Sequence, residues 1–254
     1  MIQILQNTFC HVPGISQNKE QELWNSDVLT WNDLLDKIEN NHLSFKRDKS
    51  VKFVLNRSID SLNNKNHEFF FNSLDQREHW RAYHDFKDKC CFLDIETTGL
   101  SKHHNDVTVV GLYDGNDCRM FVNGKNMGEL KKAVDEYDMF VTYNGKCFDV
   151  PFLKAKNPLL NFDKFHVDLR FELRKLGLSG GLKHIEKEMG INRDDEIKEV
   201  DGFEAVRLWR RYKKGDKGAL STLINYNKAD VVNLKTLMDF TYDKLKKGCL
   251  SNLC

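Results

Sequence analysis

From Cys90 onward, short apolar runs alternate with polar turns. Their spacing predicts strands near 90–96, 106–113, 118–122, 138–143 and 164–168. Tyr113-Asp114-Gly115-Asn116 and Val122-Asn123-Gly124 are compact turn sequences, of the kind that separates neighbouring strands. Between and after the later strands the apolar period lengthens to that of helices. From Val200 to Lys247 it predicts two long helices, broken at Lys214-Gly215-Asp216. Three close strands followed by strand–helix alternation imply an α/β fold, a mixed five-stranded sheet flanked by helices.

Residues 1–89 carry a mainly helical pattern. Residues 1–42 contain Cys10-His11-Val12-Pro13-Gly14-Ile15-Ser16 ahead of two amphipathic stretches holding Trp24 and Trp31. This segment resembles a helix-hairpin-helix module, whose glycine-rich hairpin presents backbone N–H groups to phosphate. The second glycine of that pattern is Ser16 here. Two readings therefore stay open: a phosphate-contacting hairpin, or a helical hairpin with Trp24 and Trp31 in its core. Residues 43–89, polar and rich in Asn and Lys, are expected to form a helical connector. Within them, Phe69-Phe70-Phe71 is expected to serve the core rather than to stack on bases.

The first strand is unusual for where it places charge. In Phe92-Leu93-Asp94-Ile95-Glu96-Thr97-Thr98-Gly99-Leu100, alternation puts Asp94 and Glu96 on one face of a largely buried strand. Like charges so placed repel, and burial disfavours their ionisation. A hard divalent cation resolves both problems, because it prefers carboxylate oxygen. On its own, a D-x-E of this kind is more often two hydrated acids at a strand edge. Two later segments change the balance. Asn144-Gly145-Lys146-Cys147-Phe148-Asp149 follows an apolar strand and places Asp149 at a helix start. In Leu223-Ile224-Asn225-Tyr226-Asn227-Lys228-Ala229-Asp230, helical periodicity sets Tyr226 and Asp230 four residues apart on one face.

In this order, the segments resemble the three motifs of the DEDDy-type 3′–5′ exonucleases of the ribonuclease H-like (DnaQ-like) superfamily. His166-Val167-Asp168-Leu169-Arg170, Gly181-Leu182-Lys183 and the run from Asp201-Gly202-Phe203 through Leu208-Trp209-Arg210 to Tyr226-Asn227 are similar to its YprB-like branch. The resemblance covers about residues 90 to 240 and makes 90–254 an exonuclease domain. It implies catalytic roles for Asp94, Glu96, Asp149, Tyr226 and Asp230. It also implies two Mg²⁺ or Mn²⁺ ions per active site. Asp94 would bridge both, Glu96 and Asp230 would complete one site, and Asp149 would help hold the other through water. Tyr226 is a poor base at neutral pH, since a free phenol has a pKa of about 10. Its expected task is to orient the attacking water. Substrate contacts are expected from Thr97, Gly99 and Leu100, with Leu100 wedged against the last base. Others are expected from Asn144 and Phe148 beside Asp149, and from Lys183 after Gly180-Gly181.

Composition narrows the setting. The 254 residues carry a net charge of +1, so attraction to phosphate must come from local basic surface and cations. Arg207, Arg210, Arg211, Lys213 and Lys214 read as a solvated helix face, and His103 and His104 lie outside the acidic constellation. The seven cysteines show no C-x-x-C spacing, which argues for reduced thiols rather than zinc or a disulfide framework. No signal-peptide pattern is present, and no apolar run approaches the ~20 residues of a membrane span. The chain is therefore expected to be cytoplasmic, with no membrane partner. The sequence reading is a metal-dependent 3′–5′ exonuclease on single-stranded nucleic acid with a free 3′ end, DNA favoured over RNA. The alternatives are an exoribonuclease with the same core and a nucleic-acid-binding scaffold with a residual nuclease fold. Oligomeric state is not legible.

Overall fold

The computed structural model describes residues 4–198 and 200–250. It comprises two compact units: Lys89–Thr241, and Met1–Asp88 together with Tyr242–Cys254.

The unit Lys89–Thr241 is built on one five-stranded sheet. Its strands are β1 (Cys90–Thr97), β2 (Val107–Tyr113), β3 (Cys118–Val122), β4 (Met139–Thr142) and β5 (Phe165–Asp168). The spatial order is β3-β2-β1-β4-β5. β1–β2–β3 form an antiparallel meander, and β4 and β5 join parallel to β1. This is the expected mixed sheet, with strand ends within a residue or two of their predicted places. Alternation along β1 divides its side chains between two layers. Cys91, Leu93 and Ile95 pack with Leu130, Val134, Phe152 and Leu153 of the helices Leu130–Asp135 and Asp149–Lys156. The opposite sheet face, through Val109 and Val122, packs on Ala205, Leu208, Leu223 and Tyr226 of the helices Gly202–Lys213 and Lys217–Leu250. Asp94 and Glu96 belong to the same alternate set as Phe92, opposite the Cys91–Leu93–Ile95 set.

The pairing of β1 is uneven, and that matters for the site. It meets β2 from Phe92 to Thr97 but β4 only from Cys90 to Phe92. Beyond Phe92 the two parallel strands no longer pair, and the backbone N–H of Ile95 needs another acceptor. Asp149 supplies it: Oδ1 accepts from Ile95 N at 3.0 Å.

The other unit is helical, as expected. Its main helices are Gln17–Asn25, Trp31–Glu39, Asp48–Asn63 and His67–Ser73. Trp24 and Trp31 are buried, and their indole N–H groups donate to the carbonyls of Asn7 and Thr8 at 2.8 and 2.7 Å. Phe70 is buried and stacks on Trp31 with ring centres 5.8 Å apart, so the middle phenylalanine of the triplet serves the core. Ser16 accepts from Lys19 N at 3.3 Å as the N-cap of its helix. That gives this position a use of its own where the hairpin pattern has glycine.

The domain boundaries differ from the expected ones. Residues 1–42 and 43–89 fall in one unit but for its last residue, Lys89, and the unit begun at Lys89 closes at Thr241. The helix Lys217–Leu250 is continuous, so its sequence shows no break at Tyr242. What assigns Tyr242 is packing: its ring lies 6.1, 5.8 and 6.0 Å from those of Trp80, Tyr83 and His84. Cys254, one of the seven cysteines, lies outside the described residues. Among the described residues, no helix is long and apolar enough to cross a membrane.

Candidate active site

Three segments of the Lys89–Thr241 unit converge on one cleft of about 610 Å³. β1 delivers Asp94 and Glu96, the turn after β4 delivers Asp149, and the helix Lys217–Leu250 delivers Tyr226 and Asp230. All five line the cleft. Asp94, Glu96 and Asp230 each offer a carboxylate oxygen, and these oxygens lie within 4.8 Å of one another. Glu96, Asp149 and Asp230 are buried, and Asp94 is half-buried.

The electrostatics follow from that crowding. Burial, then the neighbouring Asp230 and Asp149, push the Asp94 carboxyl well above its usual range, and the same causes act on Glu96. Burial raises Asp149 to about 7, against which the N–H groups of Asp149 and Ile95 pull down. Burial raises Asp230 to about 6, and Arg193 restrains the rise. This donor set fits hard divalent cations: clustered carboxylate oxygens, short of positive charge and costly to ionise without it. Tyr226, 8% exposed, is raised above a normal phenol, by burial first and then by Asp230, Glu96 and Asp94. It stays protonated at neutral pH, able to donate a hydrogen bond but not to act as a base.

Local chemistry explains how each segment holds its shape. Asn144 sits in the left-handed region at φ 64°, and a Cβ on Gly145 would meet the Thr142 side chain at 2.5 Å, so the Asn-Gly order suits this turn. Asp168, at the end of β5, ties the turn down. Its carboxylate accepts from the backbone N–H groups of Asn144 at 2.7 Å and Lys146 at 3.0 Å. On the other side, Asn227 is fully buried and donates Nδ2–H to Asp94 Oδ2 at 2.7 Å. Gly111 lies opposite Asp94 on β2, and a Cβ there would come within 2.3 Å of Asn227 Oδ1. The absent side chain at Gly111 is what lets Asn227 reach β1.

The residues expected to hold substrate all line the same cleft: Thr97, Gly99, Leu100, Asn144, Phe148 and Lys183. Several already have partners within the chain. Thr97 Oγ1 donates to Gly99 O at 2.7 Å, and the space beside Gly99 is filled by Asn105, 2.8 Å from where a Cβ would lie. Asn144 Oδ1 accepts from Arg170 at 2.6 Å. Phe148 packs against the core, its ring 5.5 Å from that of Phe152. The Lys183 ammonium donates to the carbonyls of Lys198 and Val200 and lies 5.2 Å from the Tyr226 ring centre. Leu100 differs from these, being 83% exposed at the cleft edge.

Some neighbours were not legible beforehand. Phe203, 79% exposed, shares the cleft and an adjoining cavity with Leu100. Its place in the Asp201-Gly202-Phe203 segment that carries the family resemblance was the one signal available, and it did not say that the side chain reaches the cleft. Arg193, in buried contact with Asp230, and Glu186, which holds Arg193, carry no local sequence signal. Asn227 had one available signal, since it lies three residues before Asp230 and therefore on the same helical face. His103 and His104 are exposed in a turn, and neither belongs to the carboxylate group.

A mixed β3-β2-β1-β4-β5 sheet with helices on both faces, and acids gathered at β1, is a nuclease-type ribonuclease H-like architecture. The chain belongs to the RNase_H superfamily, whose family model matches residues 91–242. Among curated proteins it is similar to the uncharacterized protein YprB of Bacillus subtilis (strain 168), at 28% identity over 188 residues. That match covers 65% of this chain and 44% of YprB, so the chain spans less than half of that relative's length. Among solved structures it is similar in fold to the family B DNA polymerase of the hyperthermophilic archaeon Pyrobaculum calidifontis. There the TM-score is 0.51 at 16% identity, over 59% of this chain and 24% of the polymerase. Brucella melitensis NrnC gives a TM-score of 0.45 at 18% identity, covering 65% of this chain and 78% of NrnC.

Proposed function

We propose that this protein is a divalent-metal-dependent 3′–5′ exonuclease acting on single-stranded nucleic acid, DNA in preference to RNA. The observation that carries the reading is the cluster of Asp94, Glu96 and Asp230, with oxygens within 4.8 Å of one another, joined by Asp149 in the same cleft. Asp94, Glu96, Asp149 and Asp230 would hold the cations, two Mg²⁺ or Mn²⁺. Bound there, such a pair supplies Lewis-acid stabilisation to the oxygens of a phosphodiester under attack by water. The chain's own residues do the rest. Tyr226 donates its hydroxyl proton in a hydrogen bond that orients the water. Asn227 fixes the Asp94 carboxylate, and the Ile95 N–H fixes that of Asp149.

The surroundings support a single strand crossing the acids. Beyond Leu100 and Phe203 lies a cavity of about 640 Å³ edged by Arg207 and Arg210. On the side of Tyr143 and Asn144 lies another of about 510 Å³ edged by Arg170 and Arg174. These four arginines are solvent-exposed and give phosphate the local positive charge that a net +1 does not. Exposed Leu100 and Phe203, beside the carboxylates, suit the apolar faces of unstacked bases.

The test uses matched DNA and RNA oligomers labelled at either end, with Mn²⁺ or Mg²⁺. A 5′-labelled single strand should shorten in one-nucleotide steps, DNA faster than RNA, and a covalently closed circle should resist. Efficient nicking of the circle would replace the exonuclease reading with an endonuclease. Faster RNA cleavage would reverse the substrate preference.

A further inference from the structure

Arg193 is the one cation in hydrogen-bond contact with the carboxylate cluster among the described residues. Its side chain is 5% exposed, and those of Glu186 and Asp230 are 2% and 6% exposed. The guanidinium grips Glu186 at two points, Nε to Oε2 and Nη2 to Oε1, both at 2.7 Å. Glu186 is itself steadied by Asn233 Nδ2, 2.9 Å from Oε1. Toward Asp230 the contact is single, from Nη2 to Oδ1. The guanidinium carbon also lies 5.4 Å from the centre of the Tyr226 ring, within range of a cation–π contact. Nη1 is buried with no hydrogen-bond partner.

These contacts form a hierarchy. A forked arginine–carboxylate pair is both stronger and more directional than a single N–H contact. Glu186 is therefore the anchor of Arg193, and Asp230 is the contact that can be given up. Glu186 takes up part of the charge of Arg193, so the guanidinium offsets the negative field of the cluster only in part. An arginine serving only the fold would gain more by satisfying all its donors, since a buried, unmade hydrogen bond is costly.

We propose that Arg193 is a positioning residue: anchored on Glu186, it is the resident counter-ion that holds Asp230 and the Tyr226 ring in place before metal binds, and it yields Asp230 Oδ1 to an incoming divalent cation. This rests on the reading of the acidic cluster as a cation site. It goes beyond that reading by naming what occupies Asp230 in the metal-free protein and what the cation must displace.

The experiment is thermal unfolding of the full chain, with EDTA and across a Mn²⁺ titration, for wild type, Arg193→Gln and Arg193→Lys. Free Mn²⁺ is followed in parallel by its electron paramagnetic resonance signal. Arg193→Gln should melt below wild type in EDTA, yet show a larger Mn²⁺-induced rise in melting temperature. Its affinity for Mn²⁺ should be tighter by roughly 10-fold, because a competing positive charge has left the site. Arg193→Lys keeps the charge without the fork and should fall between the two. It carries the test if Arg193→Gln does not fold. A purely structural arginine would lower the melting temperature equally with and without Mn²⁺, and that result would overturn the proposal. If wild type shows no Mn²⁺-induced rise, the metal reading fails and takes this inference with it. If the rises order as predicted but no oligomer is cleaved, the exonuclease reading fails and this inference stands.

Discussion

Each unit of this protein buries charge, and the two do so differently. In the helical unit, Arg81 pairs with Glu20 at 3.0 Å and Glu78 at 2.6 Å. The remaining capacity of Glu20 goes to the backbone N–H groups of Phe9 and Cys10 at 2.5 and 3.1 Å. The guanidinium also lies 5.9 and 5.6 Å from the rings of Trp24 and Trp80. There, two acids share one arginine, and hydrogen bonds complete the arrangement. In the sheet unit, Asp94, Glu96, Asp149 and Asp230 crowd one cleft, and the one arginine that bonds to them among the described residues is divided between Asp230 and Glu186. All four carboxyls are pushed up, by burial before any neighbouring charge. The comparison teaches how to tell buried charge that completes a fold from buried charge that awaits a ligand. The first closes its own account of partners, and the second leaves like charges facing one another.

The strongest way to break the comparison is to remove an acid from the cleft. Asp94→Ala or Asp230→Ala should reduce hydrolysis roughly 1000-fold or more, through loss of a cation ligand. The metal-free melting temperature should hold or rise slightly, since a repelling charge has gone. Oligomer digestion and thermal melts read the two effects separately, and near-normal turnover in either variant would refute the cation assignment.

The matching change in the helical unit should behave in the opposite way. Arg81→Met leaves Glu20 and Glu78 buried without their counter-ion and should cost about 3–5 kcal/mol of stability. Urea unfolding should show the same loss with and without Mn²⁺. A loss that cations repair would mean that this network, too, is a ligand site.

A smaller effect is expected at Tyr226. Tyr226→Phe keeps the ring against Arg193 and Lys183 but removes the hydroxyl, and the rate should fall about 10- to 1000-fold. Full activity would make the tyrosine a packing residue.

The smallest effect is in pH dependence. Asp149 is raised from 3.8 to about 7 and Asp230 to about 6, so the folded state binds more protons than the unfolded state across that window. Stability of the metal-free protein should therefore fall as pH rises from about 4 to about 7. Mn²⁺ should flatten the slope by stabilising the ionised forms. Melting temperatures at successive pH values, in EDTA and in Mn²⁺, test both halves. A metal-free protein that gains stability over this range would show that its acids are already compensated.

Much of the sheet unit was legible in the chain. The alternation around Asp94 and Glu96, the Asn144-Gly145 turn ahead of Asp149, and the four-residue step from Tyr226 to Asp230 are local patterns. Backbone geometry alone assigns each to a strand face, a helix start or a helix face. That they belong to one site was implied by the resemblance to the exonuclease motifs, and the strand order β3-β2-β1-β4-β5 that brings them into one cleft came only with the structure. The sequence by itself therefore determined the fold class and, through that resemblance, which acids belong together.

Tertiary structure decided what holds those acids and which of them compete for charge. Arg193 forks onto Glu186 seven residues away and reaches Asp230 across 37. The seat that Gly111 makes for Asn227, and the service of Asp168 to the Asn144 turn, join separate elements in the same way. So does the aromatic cluster that assigns Tyr242 to the helical unit at no visible break in its helix. Local periodicity records which way a side chain faces, because the backbone repeats every few residues. The partner that meets it depends on which distant surfaces pack, and that is set by the burial of the whole chain.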